Sequence, residues 1–169
     1  QAVTALKEGK EPSLDEAMSR HTEVELRIPA LLPDDYIADV NTRLSLYKQL
    51  ASCDDQTAID EFQVACIDRF GLLPESAKNL VQVAELKTRA EALGIAKIDM
   101  SPGGGTIEFK ESTKVDPGFI IQLVQTRPNM FKFEGSQKLR IVKQTDTAKD
   151  RIGLVDNIIS DFARETRAQ

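Results

Sequence analysis

Three groups of residues in this 169-residue chain have types and spacings that could do chemistry: a glycine-rich loop, two carboxylate pairs and a basic cluster. The loop is SPGGGT at 101–106. A phosphate-binding loop needs Gly, four residues, then Gly-Lys-Ser/Thr opening a helix, so that backbone N–H groups and the Lys meet the phosphates. Here no such Lys follows and the next residues read as a strand, so the loop is a turn. Asp34–Asp35 and Asp54–Asp55 have the chemistry of acid/base or metal carboxylates. Both pairs stand at predicted helix starts, where a carboxylate accepts from unpaired backbone N–H groups, and capping accounts for them. His21 is the only histidine, so no His-based metal site or triad can be assembled. Lys132, Lys138, Arg140, Lys143, Lys149 and Arg151 gather near the end of the chain. They read as a solvated sheet face, because no aromatic residues interleave as stacking platforms; nucleic-acid binding stays the alternative. No catalytic, cofactor-binding or metal-ligating residue is assigned.

Composition narrows the class. At 41% hydrophobic residues the chain can bury the core of one domain. A net charge of −5 argues against a surface built mainly for phosphates. No apolar run approaches the length that spans a membrane, so no membrane partner is expected. Cys53 and Cys66 are too few for a disulfide framework, and Cys66 falls on an apolar helix face. A reduced, buried thiol there favours a cytoplasmic protein. The start QAVTALKEGK shows neither an initiator Met nor a signal-peptide pattern, and is expected to be a piece of something longer.

The elements follow from hydrophobic period and punctuation. Residues 1–20 read as a helix tail and linker, with GKEPSLDEAMSRH holding at most a short helical turn. TEVELRI alternates, with Val24, Leu26 and Ile28 facing inward, which predicts a strand ended by Pro29 and Pro33. A helix is predicted from Asp34–Asp35 to about Ala51, with Ile37, Val40, Leu44, Tyr47 and Ala51 on its core face. IDEFQVACIDRF is a helix with Ile59, Phe62, Cys66 and Phe70 on one face. Gly71 closes its last turn, Leu72 is placed for the accompanying apolar contact, and Pro74 opens the next helix. Phe70, Gly71 and Pro74 are therefore the structural turn. The next helix puts Leu80, Val83, Ala84, Ala90 and Leu93 inward and ends at Gly94.

AKIDM and TIEFK form a hairpin whose turn is the glycine triplet, with Ala96, Ile98, Met100, Ile107 and Phe109 inward. Asp116 and Pro117 open a short helix that buries Phe119, Ile120, Leu123 and Val124 and stops at Pro128. MFKFE and KLRIVK are strands with Phe131, Phe133, Leu139 and Ile141 inward. A last helix from about Asp146 to Arg167 carries Ile152, Val155, Ile158, Ile159 and Phe162. The order β-α-α-α-β-β-α-β-β-α predicts an α+β domain over 21–169, a largely antiparallel sheet covered by helices.

Four stretches, in order, carry a resemblance: TEVELRIPALLPDDYI, RLSLYKQLA, IDRFGLLP and GTIEF. Together they resemble the C-terminal domain of the bacterial transcription-repair coupling factors (the Mfd family). The similarity runs from about Pro12 to the last helix, and LKEGKEPSL resembles the passage out of the family's motor domains. DRFG before a Pro is only moderately specific; the four blocks together are highly specific.

The resemblance implies a regulatory module rather than an enzyme. Family members are ATP-driven double-stranded DNA translocases that push on stalled RNA polymerase and recruit the excision-repair protein UvrA. ATP and Mg would belong to motor domains outside this chain. The family's C-terminal domain is expected to dock on the UvrA-binding domain of its own chain, hiding the recruiting surface and restraining the motor. The docking face carried over from the family is Glu61, Ala65 and Asp68, extended to Arg69 and Leu72. The family often has Glu where this chain has Ala65, so one charge contact is missing: either neighbouring carboxylates such as Glu61 and Asp68 carry it, or the interface has drifted.

Overall fold

The computed structural model describes residues 22–166. The predicted linker 1–20, His21 and the predicted helix end at Arg167 lie outside the described residues. The elements are β1 (Glu23–Glu25), α1 (Val40–Ala51), α2 (Gln56–Phe70), α3 (Glu75–Ala92), β2 (Ile95–Ser101), β3 (Gly104–Phe109), α4 (Pro117–Thr126), β4 (Phe131–Phe133), β5 (Lys138–Val142) and α5 (Ala148–Arg164). Their order is the expected one. The sheet runs β1-β2-β3-β5-β4, with β1 parallel to β2 and every other pair antiparallel. A parallel pair needs a long crossover, and α1, α2 and α3 supply it.

Two apolar clusters form, and α3 serves both. Ala77 and Val81, from its first half, pack with Leu46 and Leu50 of α1 and Ile59, Phe62 and Cys66 of α2. Leu86 and Ala90, from its second half, pack on the sheet with Ile98, Ile107, Leu139 and the α5 stripe Ile152, Val155, Ile159 and Phe162. The α5 stripe and the Ile59–Phe62–Cys66 face are therefore as the spacing predicts. Asp55 caps α2 by accepting from Ala58 N–H, and Asp116 caps α4 by accepting from Gly118 N–H.

Several expectations need correction. The helix after β1 starts at Val40, not Asp34, and Asp39 is its cap, accepting from the Thr42 N–H and hydroxyl. Those bonds hold the Asp39 carboxyl below its ordinary range. Val40, Leu44 and Ala51 are exposed; Leu46 and Leu50 are the buried pair. The chain before α1 bends to bury Leu32 and Ile37, and the Tyr47 hydroxyl takes the Leu32 N–H.

The hairpin turn is Pro102–Gly103, while Gly104 and Gly105 belong to β3. They are glycines because backbone presses on them: a Cβ on Gly105 would lie 1.9 Å from the Asp99 carbonyl oxygen, and one on Gly104 2.2 Å from that of Ile141. A bulge between Ile95 and Lys97 shifts the β2 phase, so Ile95 is fully buried and Ala96 only partly. Phe133 is 51% exposed, although Phe131, two residues earlier on the same side of the three-residue edge strand β4, is buried.

Arg151 is not solvated but 5% exposed. Its guanidinium donates to Thr145 Oγ1 and to the carbonyls of Thr145, Leu26 and Arg27. Arg27 takes φ +56, the left-handed conformation that ends β1, and pairs with Asp99 at 2.9 Å.

Candidate docking face

α2 presents two chemically opposite sides because its period is helical and its buried residues recur strictly. Ile59, Phe62 and Cys66 are at most 1% exposed. The residues between them point outward: Asp60, Glu61, Val64, Ala65 and Asp68 are exposed and, with Thr57, line a shallow depression. Glu61, Ala65 and Asp68 thus share one face, as i, i+4 and i+7 spacing requires. The Asp60 carboxylate accepts from Gln56 Nε2 at 2.9 Å, and the same amide donates to Glu85 on α3 at 2.7 Å. Among the described residues, no hydrogen bond or ion pair reaches Glu61 or Asp68. The outer face therefore offers two carboxylates on either side of a small side chain, with Val64 at 59% exposure beside them.

The turn that ends α2 fixes this face relative to α3. Gly71 takes φ +94, and its N–H closes on the Ile67 carbonyl. The Tyr36 hydroxyl donates to the Gly71 carbonyl at 2.7 Å and its ring meets Phe70 edge-on, with centroids 5.9 Å apart. Pro74 precedes the first turn of α3. The Arg69 guanidinium lies over the Phe70 ring at 4.7 Å. Leu72 makes no apolar closing contact: it is 83% exposed, and Leu73 is the buried neighbour. The five expected face residues are all exposed, yet they divide. Glu61, Ala65 and Asp68 lie together, Arg69 is engaged with Phe70, and Leu72 lines a separate groove with Ile67, Leu73 and Lys78.

Sequence reasoning missed Val64 and Ile67 as exposed apolar residues of the outer side. The signal was present, since neither fits the Ile59–Phe62–Cys66 stripe.

Elsewhere the basic cluster breaks up. Lys138 pairs with Glu108, Arg140 with Glu134, and Arg151 is inside. Burial pushes the Cys66 thiol above its ordinary range, with Arg69 pulling weakly the other way. Burial raises Cys53 as well, helped by Asp54, Asp55 and Glu61. Among the described residues no three His, Cys, Asp or Glu side chains are grouped to hold a metal ion, and no helix is long and apolar enough to cross a membrane.

Comparison with known proteins places this arrangement in a family. The sequence profile of the TRCF domain matches residues 26–120. The chain is 45% identical to a transcription-repair-coupling factor of Haemophilus influenzae over 96% of its own length and 14% of that protein. It is 47% identical to that of Escherichia coli over 95% of its length and 14% of the other. The chain thus spans about one seventh of these relatives. A crystal structure of a C-terminal domain of transcription-repair coupling factor superposes with TM-score 0.62 at 22% identity, covering 83% of this chain and 94% of that one, and shows the shared α+β fold. The chain belongs to the TRCF domain family, the domain family of the transcription-repair-coupling factors.

Proposed function

We propose that this chain is the C-terminal masking domain of a longer, ATP-driven DNA-repair translocase. It docks through the outer face of α2 on the UvrA-binding domain of its own parent chain. Docked, it hides the surface that recruits UvrA and restrains ATP hydrolysis and translocation. The observation that supports this reading is the pair Glu61 and Asp68: two exposed carboxylates without partners of their own, held on one face by a helix whose other side is fully buried. A rigid acidic face suits a basic surface, because nothing need reorganise when the two meet.

In this reading residues 1–20 lead in from the motor and residues 21–169 form the regulatory domain. The domain catalyses nothing and holds no cofactor; ATP and Mg belong to the motor. UvrA, RNA polymerase and double-stranded DNA are engaged through the parent, in the bacterial cytoplasm. The experiment is deletion of this region from Pro12 onward in the parent, with steady-state ATPase and UvrA pull-down as readouts. Both rise if the domain masks, and unchanged values end the reading. A titration of the isolated chain with duplex DNA at low salt separates it from a nucleic-acid-binding appendage, which alone would give salt-sensitive binding.

A further inference from the structure

Two rows of side chains cross the sheet and both stop short at its β4 edge. On the side covered by helices, the register sets Ile98, Ile107, Leu139 and Phe133 in line across β2, β3, β5 and β4. The first three are at most 1% exposed, while Phe133 is half open to solvent. On the opposite side the matching row is Asp99, Thr106, Arg140 and Lys132. Its last two members are cations directly opposite each other, an arrangement that costs stability. Glu134 neutralises Arg140 at 2.6 Å. Lys132 meets no carboxylate among the described residues and donates only to the Pro128 carbonyl.

The backbone of β4 is unfinished in the same way. The Val142 N–H donates to the Met130 carbonyl at 2.7 Å, and the Glu134 N–H to the Lys138 carbonyl at 2.9 Å. In an antiparallel ladder such pairs alternate, so Lys132 also bonds inward, and Phe131 and Phe133 aim their backbone groups at the open edge. The Phe131 N–H turns aside to the Arg127 carbonyl at 3.0 Å. The Phe133 N–H and carbonyl and the Phe131 carbonyl have no partner among the described residues. Beside them Phe133 and Ile121, both exposed, flank an apolar pocket of about 200 Å³ between α4 and the sheet.

We propose that the β4 edge receives an extended segment of another protein, added antiparallel as a sixth strand. Main-chain bonds to Phe133 hold it, and alternate side chains set its specificity. An aliphatic residue opposite Phe133 continues the apolar row over Phe133 and Ile121, and an acidic neighbour gives Lys132 its missing counter-charge. The segment therefore alternates aliphatic and acidic residues. A second copy of this chain is a poor match. Pairing β4 with β4 about Lys132 sets like charges opposite, and pairing about Phe133 offers only Glu134, which Arg140 already holds. The site shares no residue with the outer face of α2 and does not depend on its masking role.

The probe is a short fluorescein-labelled peptide of alternating Val and Glu, titrated into the whole 169-residue chain and read by anisotropy. A Kd below about 1 mM is expected, and no binding at that concentration overturns the proposal. N-methylation of the Val amides, which face Phe133, should abolish binding, whereas N-methylation of the Glu amides should leave it. Equal binding by the two methylated peptides overturns strand addition. Lys132→Glu should weaken the Val–Glu peptide roughly tenfold and strengthen a Val–Lys peptide, a reversal that misfolding cannot produce. Unchanged affinities in Lys132→Glu count against the site. Self-association of the chain that Lys132→Glu abolishes, without peptide binding, means that a second copy takes the edge and overturns the proposal equally.

Discussion

Arg151 Nη1 donates to the Leu26 carbonyl over 2.9 Å, tying the second turn of the last helix to the end of the first strand, 125 residues earlier. The same guanidinium reaches the Arg27 and Thr145 carbonyls and the Thr145 hydroxyl, so one side chain closes both ends of the domain. Replacing it with Met keeps most of the volume and leaves those acceptors without a donor. The loss of stability should be about 2–4 kcal/mol, since the orphaned acceptors are partly offset by no longer burying a charge. Urea unfolding midpoints of parent and Arg151→Met measure it, and equal midpoints would mean that solvent satisfies these acceptors.

The turn between α2 and α3 separates backbone strain from packing. A Cβ on Gly71 meets nothing within 4 Å, yet φ there is +94. Gly71→Val should therefore destabilise by about 1–3 kcal/mol through the backbone alone. Phe62→Ala, at 1% exposure, should cost about 3–5 kcal/mol, and half-buried Phe70→Ala less. Tyr36→Phe removes the hydroxyl that donates to the Gly71 carbonyl at 2.7 Å and reaches the Cys66 carbonyl at 3.3 Å, and should cost about 1 kcal/mol. Denaturant titrations rank the four, and a Gly71→Val chain as stable as the parent would show the turn can be remade without positive φ.

Two glycines of the β2–β3 hairpin, Gly103 and Gly105, should behave in opposite ways. Gly103 sits in the turn with open space around its absent Cβ and no positive φ, so Gly103→Ala should be neutral or stabilising by about 0.5 kcal/mol. Gly105→Ala would drive a methyl to 1.9 Å from the Asp99 carbonyl oxygen, and strand β2 must move or the pairing break. A loss of about 3 kcal/mol or more is expected. Thermal unfolding of the two variants side by side decides it.

What was legible in the sequence depended on how strictly each element repeats. The Ile59–Phe62–Cys66 face and the α5 stripe stood out because each buries one continuous side of a long helix. α1 misled because its apolar residues cover more than one side. Val40 and Leu44 match the helical period as well as Leu46 and Leu50 do, and only packing against α2 and α3 selects between them. Arg151 was read as solvent-facing from its charge, although it lies four residues before Val155 and eleven before Phe162, on their buried side. Position outweighed residue type there. The outer face of α2 was legible as polar, and Val64 stood visibly off the Ile59–Phe62–Cys66 stripe; the exposure of Leu72 was not legible, since an apolar residue next to a turn carries no mark of being left uncovered.

Burial of Cys66 makes stability depend on alkaline pH. Its thiol is raised above the ordinary value of 9.0, so the fold favours the neutral form. The stabilisation is whole below that value and is lost as pH rises through the higher, folded one. Cys66→Ala should be less stable than the parent at neutral pH, because it leaves a cavity. The gap between the two should narrow above about pH 9, where the parent alone must keep a buried thiol from ionising. Unfolding curves from neutral to alkaline pH test this, and a gap that stays constant would mean the thiolate is tolerated inside.

If the outer face of α2 masks a basic surface of its parent, the closed state rests on a modest free-energy gap. Tethering holds the domain at a local concentration of roughly millimolar, so weak individual contacts suffice. Moving a population from mostly closed to mostly open takes about 5.5 kcal/mol of differential binding. Truncating one member of a desolvated charge pair supplies about 2–5 kcal/mol of that, and reversing two charges supplies more. Glu61→Arg/Asp68→Arg in the full parent should therefore raise both ATP hydrolysis and UvrA binding. The fold should be unharmed, because both positions are exposed and neither carboxylate is bonded within the domain. Ala65 lies on the same face between the two, and Ala65→Glu adds a third carboxylate there. It should lower both readouts, in a direction no general destabilisation can mimic. Raised activity in the double variant together with lowered activity in Ala65→Glu would identify the face by sign. A double variant that stays silent while the deletion from Pro12 activates would move the docking surface off α2.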